Sequence, residues 1–216
     1  MLKLARKLTR FCLEKLDLYS SYALRHSGAI GQDGWFRSYR EQAAVDAAGH
    51  PLPWITYPAI AFLEKRVQPE MTVFEYGCGN STRWWAGRVA RVVSCEHDAA
   101  WHQKVLPTLP ENVELRFVPL AYDGDYCRQV TRCDETFDIV VIDGRDRVNC
   151  AKQAVQALKP NGVILWDNSD REAYAEGYAF LQANGFKKVE FTGLSPISLA
   201  RNETGIFYRP DNVLGL

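Results

Sequence analysis

The 216-residue chain lacks any long apolar run, and none of its cysteines form a CxxC pair. A membrane-spanning helix needs about 18 or more consecutive apolar residues, and no stretch approaches that length. No signal peptide is evident, so we expect a cytoplasmic protein. Isolated cysteines, several of them in apolar contexts, are typical of reduced core residues and predict no zinc site. They are Cys12, Cys78, Cys95, Cys127, Cys133 and Cys150.

The chain also lacks a net charge, because its 26 Lys and Arg residues balance its 26 Asp and Glu residues. Clustered basic charge is the electrostatic signature of nucleic-acid binding, so we expect no nucleic-acid partner. Residues 1–26 depart from the balance, since leucines alternate there with lysines and arginines as in a basic amphipathic helix. Such a helix suits peripheral contact with an anionic membrane, packing on the rest of the chain, or packing on a second subunit of a homo-oligomer. Packing is the favoured alternative.

Seven apolar segments have the length and composition of β-strands. The first five alternate with helical segments such as 83–88, 101–106 and 149–158, which predicts an α/β, Rossmann-like sheet with helices on both faces. The fourth segment, FDIVVID, is almost entirely apolar, as is typical of a central parallel strand. The predicted strands are 72–76, 92–96, 113–119, 137–143, 162–167, 188–192 and 205–209. We predict that residues 67–216 form this domain and that residues 1–66 form a helical and aromatic extension.

The segment FEYGCGNST, residues 74–82, ends the first strand with an acid and two closely spaced glycines. Glycine permits a tight turn and lets a ligand approach main-chain N–H groups. The pattern is typical of a strand that passes into a helix around a small polar ligand. Asn80, Ser81 and Thr82 are candidates to cap that helix. The alternative is that the glycines only form a tight turn.

A second acid, Glu96, ends the second strand 21 residues beyond Glu75. In a βαβ nucleotide site, an acid at this position accepts hydrogen bonds from ribose hydroxyls. The two signals together predict a ligand that contains a nucleoside. The dehydrogenase fingerprint G-x-G-x-x-G is not met, because Thr82 stands at its third glycine, so a dehydrogenase is the weaker interpretation.

The pattern E-x-G-x-G followed by Glu96 resembles the first two motifs of class I S-adenosylmethionine-dependent methyltransferases. The resemblance runs from residue 72 to about residue 210 and implies a seven-stranded, mostly parallel sheet whose last strand is an antiparallel insertion. It implies S-adenosylmethionine as cofactor, with the glycines at its methionine end, Glu96 at its ribose and Asp123 at its adenine. An Asx-type turn before Gly124 is the alternative for Asp123. The residues assigned to the donor are Glu75, Gly77, Gly79, Asn80, Ser81, Glu96, His97, Asp123 and Asp143.

Asp143 ends the fourth strand, and Asp167 and Asn168 end the fifth. Oxygen ligands from adjacent strand ends suit Mg²⁺, and the set resembles that of catechol and caffeoyl-CoA O-methyltransferases, in which a divalent metal holds the acceptor hydroxyls. Those enzymes carry a lysine three residues after the first aspartate, where this chain has Asp146. The catalytic base is therefore open among Asp143, Asp146 and His97. A metal-free acceptor pocket lined by the two strand-end aspartates is the alternative to the metal site.

Two further groups of residues are candidates for the acceptor site. Arg145 and Arg147 follow the fourth strand, and a guanidinium suits phosphate or carboxylate; solvated ion pairs are the alternative. Residues 34–40 and 53–58 combine aromatic residues with arginine and proline outside the strand pattern, which suggests a lid or wall over the acceptor. Simple packing on the sheet is the alternative. The candidate acceptor contacts in these segments are Trp35, Tyr39, Trp54 and Tyr57.

These patterns predict a methyltransferase that acts on oxygen of a small-molecule or glycan-type acceptor, with an anionic acceptor and assistance by Mg²⁺ as open alternatives. The N/D-P-P-[YFW] motif of amine-directed enzymes is absent after the fourth strand, which disfavours a nucleobase amine. An aminopropyl transferase of the same fold is disfavoured because two arginines stand where its acidic acceptor motif is expected. A non-catalytic donor-binding or scaffold protein is the remaining competitor.

Overall fold

The computed structural model describes residues 2–216, with side chains from residue 9 onward. The strands are β1 (Thr72–Tyr76), β2 (Arg91–Glu96), β3 (Val113–Phe117), β4 (Phe137–Ile142), β5 (Leu158–Asp167), β6 (Lys187–Gly193) and β7 (Asn202–Tyr208). The helices are α1 (Leu2–Lys15), α2 (Tyr19–His26), α3 (Ala29–Gln32), α4 (Trp35–Glu41), α5 (Tyr57–Leu63), α6 (Asn80–Ala86), α7 (Ala99–Val105), α8 (Asp125–Arg128), α9 (Arg147–Ala157) and α10 (Ala175–Ala183). Short 3-10 turns lie at Leu106–Thr108, Gln129–Arg132 and Glu172–Tyr174.

The strands form one sheet in the order β3-β2-β1-β4-β5-β7-β6. The first five strands are parallel, and β7 pairs antiparallel with both β5 and β6. The prediction of a seven-stranded, mostly parallel Rossmann-like sheet with an antiparallel last strand is therefore confirmed. Because the chain order reverses beside β1, the carboxyl ends of β1 and β4 flank a crevice in which ligands of such sheets bind.

The sheet is buried on both faces, which explains the apolar central strands. Alternate residues of a strand point to opposite faces, and in β4 both sets are apolar: Val140 and Ile142 enter one core cluster, and Ile139 and Val141 enter the other. The first cluster packs against α9 and α10, and the second against α5 and α6. Rigid, doubly covered strands hold the loops at their carboxyl ends in fixed positions.

Several predicted boundaries differ from the structure, among them those of α6, β5 and β7, which begins at Asn202 instead of residue 205. Helix α6 begins at Asn80 instead of residue 83, since the extended backbone of Gly79 makes it the residue that precedes the helix. The predicted caps Asn80, Ser81 and Thr82 therefore form the first helical turn. Strand β5 begins at Leu158, which pairs with Phe137, and the ladder resumes five residues later, at Val163, after an irregularity.

The described cysteines are all free, and Cys95, Cys127 and Cys150 are buried in the core as predicted. Cys12 is exposed, so its assignment to the core was wrong. No helix in residues 2–216 is long and apolar enough to cross a membrane.

The segments before β1 differ in how they contact the sheet. Ala59, Ile60 and Leu63 of α5 belong to the same core cluster as β1, while no side chain in residues 9–26 is buried. Residues 9–26 are therefore not buried against the rest of the chain, and packing on a second subunit, the other part of the favoured expectation, stays a prediction. The side chains of residues 1–8, which belong to the same prediction, lie outside the described residues. The boundary between residues 66 and 67 stays a prediction.

Candidate active site

The carboxyl ends of β1, β2, β4 and β5 surround a cavity of about 640 Å³. Its walls are the loops that follow these strands, the side chain of Trp54, and the loop between β6 and β7 through Ser198. A second cavity of about 330 Å³ adjoins it and shares Trp54 and Trp101 with it. The predicted convergence of the strand ends on one site is therefore present in the geometry.

The turn after β1 is shaped by Gly77, whose φ of +96° lies in the left-handed region that favours glycine. Its N–H donates to the carbonyl of Cys95 at 2.8 Å, which fixes the turn to β2. The N–H of Gly79 donates to Oγ1 of Thr82 at 3.0 Å. Because glycine has no side chain, both main-chain segments are open to a ligand in the cavity.

Glu75 is the most buried acid of the site, with 1% of its surface exposed. Thr82 Oγ1 donates to its Oε2 at 2.5 Å, while its Oε1 has no hydrogen-bond partner among the described residues. Burial raises the pKa of Glu75 from 4.5 to about 7, against hydrogen bonds from Ser81, Thr82 and Ser94 that lower it. A buried carboxylate oxygen that faces a cavity without a partner points to a ligand donor at this place.

The stability of Glu75→Gln relative to the wild type is expected to be greater at alkaline pH than at acid pH. The folded protein holds the Glu75 proton more tightly than the unfolded chain, so stability is lost as pH rises from about 4.5 through about 7. The glutamine variant has no such loss, and its advantage over the wild type should grow by about 3 kcal/mol between pH 4.5 and pH 8. Urea unfolding of both proteins across this range measures the difference. Glu111→Gln, an exposed control, should show no such growth, and a Glu75→Gln advantage that is independent of pH would contradict the assignment.

Glu96 ends β2 and is held by the backbone that follows it. Its Oε1 accepts from the N–H groups of His97 and Asp98 at 2.7 and 2.8 Å, and the Sγ of Cys78 lies 3.6 Å from its Oε2. The Nδ1 of His97 lies 2.8 Å from the same Oε1. This arrangement orients Oε2 of Glu96 along the cavity wall, where it can accept from a hydroxyl.

Asp143 and Asp167 lie at the ends of the neighbouring strands β4 and β5, and Arg147 ties them together. Its Nη2 donates to Oδ1 of Asp143 at 3.0 Å, and its Nη1 donates to the backbone carbonyl of Asp167. Thr204 donates to Oδ1 of Asp167 at 3.0 Å. Burial raises the pKa of Asp167, and the nearby charge of Asp143 raises it further. Burial likewise raises the pKa of Asp143, while Arg147 lowers it.

The residues proposed for Mg²⁺ fit a cation poorly. One oxygen of Asp143 is bound by Arg147 and one oxygen of Asp167 by Thr204, so neither carboxylate is free to bind through both oxygens. The Arg147 guanidinium also places a positive charge at the point where the cation is expected. Asn168, with a left-handed φ of +53°, lines the cavity as the third member of the set. No group of three or more His, Cys, Asp or Glu residues in the described chain is arranged to hold a metal.

Two acids expected in the site are turned away from it. Asp146 accepts from the N–H of Asp123 at 2.8 Å through Oδ2 and from Asn149 at 2.8 Å through Oδ1. With both oxygens used to join two loops, it does not line the main cavity, and the expectation that it acts as catalytic base is wrong. Asp123 is exposed and pairs with Arg128 at 2.9 Å. It does not line the cavity, so its assignment to adenine is also corrected, and the turn there is closed by the N–H of Gly124 and the carbonyl of Ala121 at 3.0 Å and not by the Asp123 side chain.

Of the four aromatic residues expected at the acceptor, Trp54 lines both cavities. Trp35, Tyr39 and Tyr57 line neither cavity. Trp35 stacks on Tyr39 at 5.2 Å and donates from Nε1 to the carbonyl of Ser198 at 2.7 Å. The aromatic segment therefore buttresses the loop between β6 and β7 instead of contacting the acceptor directly, apart from Trp54.

The two predicted arginines also differ. Arg147 uses its guanidinium to hold the ends of β4 and β5, so its expected contact with an anionic acceptor is replaced by a structural one. Arg145 is exposed and lines the cavity, and its side chain makes no hydrogen bond or ion pair among the described residues. Arg171, which follows β5, has the same character. Arg171 follows the polar end of β5, so its position in the sequence could have identified it as a candidate site residue.

Other wall residues could not be read from the sequence. Trp101 of α7 donates from Nε1 to the carbonyl of Cys78 at 2.8 Å and covers the glycine turn. Ser198 and Asn202 reach the cavity from the β6–β7 hairpin. These residues carry no motif, because their place in the site depends on tertiary pairing of distant segments.

Residues 74–169 match a family model described as a methyltransferase domain. No curated protein sequence matches the chain. Solved structures with a similar fold include precorrin-6y C5,15-methyltransferase from Geobacter metallireducens GS-15, with a TM-score of 0.58 and 14% identity over 79% of this chain and 96% of that one. Precorrin 8w decarboxylase from Methanobacterium thermoautotrophicum has a TM-score of 0.55 and 19% identity over 78% and 97% of the two chains.

A Streptococcus mutans protein solved in complex with SAH, S-adenosylhomocysteine, has a TM-score of 0.51 and 12% identity over 71% of this chain and 99% of that one. At these identities the likenesses show the fold. The family match shows a methyltransferase domain over residues 74–169, and the solved structures show that the sheet has the fold of such proteins. The resemblance stated from the residues is confirmed at this level, while the likeness to metal-dependent catechol-type enzymes stays a prediction.

Proposed function

We propose that this methyltransferase acts on a hydroxyl oxygen of a small, anionic acceptor and needs no divalent metal. The observation that carries the proposal is the group of three cavity acids with raised pKa: Glu75, Asp143 and Asp167. Because these three acids are buried and repel one another, they favour a ligand that carries positive charge. A carboxylate among them also has a raised affinity for a proton and can serve as a base beside that ligand.

The donor end is the half of the cavity between the glycine turn and Glu96. The donor supplies a methyl group already activated as a sulfonium, and its ammonium and sulfonium charges would offset the excess of buried carboxylates. Gly77 and Gly79 carry no side chain that would keep a ligand away from the turn, the free oxygen of Glu75 can accept from an N–H donor, and Glu96 can accept from ribose hydroxyls. His97 lies against Glu96, which supports a role at the donor and not as base for the acceptor.

The acceptor end is formed by the ends of β4 and β5 and by the β6–β7 loop. Asp143 is the proposed base, because it lines the cavity, is partly exposed and keeps one oxygen free of Arg147. As the acceptor oxygen forms its bond to the methyl carbon and the carbon–sulfur bond breaks, the hydroxyl proton passes to Asp143. Asp167 is buried and held by Thr204, so we assign it to positioning.

The acceptor's anionic group is proposed to bind Arg145 and Arg171. The two side chains come from different loops, both line the main cavity, and both also line a cleft of about 310 Å³ that adjoins it. Neither guanidinium has a hydrogen bond or ion pair among the described residues, so both can bind phosphate or carboxylate. The same positive charges disfavour a polyamine, which argues against an aminopropyl transferase.

Charge reversal of Arg145 and Arg171 to glutamate is expected to raise the acceptor KM about 10- to 100-fold, because both partners of the anion become repulsive. The kcat should change less than KM, since neither side chain contacts the reacting atoms in this scheme and Arg171 acts on Asp143 only through its charge, which lowers the pKa of that carboxyl. Steady-state kinetics with the best acceptor measure both constants. Lys65→Glu with Lys187→Glu, two exposed changes of the same charge elsewhere, should leave KM unchanged. An unaffected KM in the arginine variant would remove the anionic acceptor.

A methyl-transfer screen tests the whole proposal. Purified protein would be incubated with labelled S-adenosylmethionine and a panel of hydroxylated acceptors with and without a carboxylate or phosphate, each with EDTA or with Mg²⁺. We expect transfer to oxygen of anionic members and equal rates in EDTA. A strict requirement for Mg²⁺ would overturn the metal-free assignment, and transfer to nitrogen alone would overturn the choice of oxygen. Donor binding without transfer to any member would favour the non-catalytic alternative.

A further inference from the structure

The first two helices and the turn between them present apolar side chains to solvent. No described side chain of α1 or α2 is buried, and α1 packs on α2, which packs on α3. Soluble proteins rarely expose large groups of apolar side chains together, and where they do, the group commonly marks an interaction surface. The exposed residues are Phe11 at 57%, Leu16 at 67%, Leu18 at 50%, Tyr22 at 47% and Leu24 at 45%.

The same segment concentrates positive charge. Residues 1–26 contain six of the chain's 26 Lys and Arg residues but two of its 26 Asp and Glu residues. In the sequence, lysine or arginine occupies positions 3, 6, 7 and 10, the i, i+3, i+4 and i+7 spacing of one side of a helix. The chain as a whole is neutral, so this excess is local and is balanced by acidic residues elsewhere.

We propose that α1 and α2 form a membrane-binding element that lies on the surface of a bilayer containing anionic lipids. Large apolar side chains beside lysine and arginine match the two layers of that surface, the acyl boundary and the negative headgroups. A second copy of the chain is a poorer partner, because a symmetric contact through this segment sets its positive charge against itself. A nucleic acid leaves the exposed leucines and phenylalanine without a role.

Sedimentation of the full chain with vesicles tests this element. Phosphatidylcholine vesicles and vesicles with roughly 30% phosphatidylserine would be compared at low and high salt. We expect at least about tenfold stronger binding to the anionic vesicles, with most of it lost at high salt, because each Lys or Arg near the surface adds to the attraction. Equal binding to both vesicles, or no binding to either, would overturn the proposal.

Two double variants separate the charge and apolar contributions. Lys15→Glu with Arg25→Glu and, separately, Phe11→Ser with Leu16→Ser should each weaken vesicle binding about tenfold or more. Lys65→Glu with Lys187→Glu is the matched charge control and should bind as the wild type does. Circular dichroism checks helix content. If light scattering shows a lipid-free dimer that the Phe11 and Leu16 changes abolish, a second copy covers this surface and the membrane assignment fails.

The outcome is independent of the proposed reaction. Neither α1 nor α2 lines either cavity in the described chain, so all four of these substitutions should leave methyl transfer to a water-soluble acceptor unchanged.

Discussion

Replacing Asp143 by asparagine is expected to lower kcat about 10²- to 10⁴-fold, the range that a positioned general base contributes. Asparagine keeps the size of the side chain and an acceptor oxygen for Arg147, but it cannot take the hydroxyl proton. The rate of methyl transfer by the wild type should rise with pH until Asp143 loses its proton and then level off. This rising part of the pH–rate profile should be absent in the variant. Because burial raises the pKa of Asp143, the rise should lie at a pH above the usual pKa range of an aspartate.

Asp170→Asn is the matched control, since it removes the same charge from an exposed aspartate shortly after β5. It should retain wild-type kcat. The midpoint of urea unfolding should be recorded for both variants, because the change at Asp143 also removes a charged partner of Arg147. A folded Asp143→Asn protein with kcat within a few-fold of the wild type, or with an unchanged pH–rate profile, would show that another group takes the proton.

The sequence was most informative where the fold brings strand ends together. Glu75, Glu96, Asp143 and Asp167 each follow an apolar strand, and parallel strands place such residues at one edge of the sheet. Their convergence on one cavity follows from topology alone, so no loop conformation had to be guessed. The family match and the sheet order add independent support to the same interpretation.

Prediction failed where backbone conformation within a loop decides the direction of a side chain. Asp123 and Asp146 both adopt left-handed φ angles, of +48° and +49°, which an aspartate tolerates because its side chain can bond nearby backbone groups. In this conformation Asp146 turns to the N–H of Asp123 instead of the cavity. Nothing in the sequence distinguishes this turn from one that presents the carboxylate to a ligand.

Contacts between residues that are far apart in the sequence were the second cause of wrong predictions. Trp35 was expected at the acceptor, but it binds the carbonyl of Ser198, 163 residues away. Asn80 was expected at the donor, and its amide donates to the carbonyl of Ala44 at 2.7 Å. Both side chains hold segments that wall the cavities, and Asn80 also lines the second cavity while Trp35 lines neither. The sequence therefore located the correct region but not the contact that each side chain makes. Long-range side-chain contacts of this kind leave no periodic or local signal.

Glu96→Ala is expected to raise the Kd for S-adenosylhomocysteine about 10- to 100-fold, measured by calorimetry. Hydrogen bonds to a charged group contribute about 1.5–3 kcal/mol each, and the variant removes the carboxylate that the ribose hydroxyls would contact. Acceptor binding should change little, because Glu96 lies at the opposite end of the cavity from Asp167. Glu111→Ala, which removes an exposed glutamate of the same chain, should leave the Kd unchanged.

Glu96→Gln resolves how the carboxylate acts. Oε1 already accepts from the N–H groups of His97 and Asp98, and a glutamine can keep that oxygen in place while an amide group replaces Oε2. If Glu96 binds ribose, glutamine should weaken the ligand nearly as much as alanine does, because an amide N–H cannot accept from a hydroxyl. If only the alanine variant binds weakly, Glu96 acts by holding the turn after β2, and the ribose contact must be sought elsewhere. Unchanged affinity in both variants would remove Glu96 from the donor site and, with it, the strongest sequence argument for a nucleoside ligand.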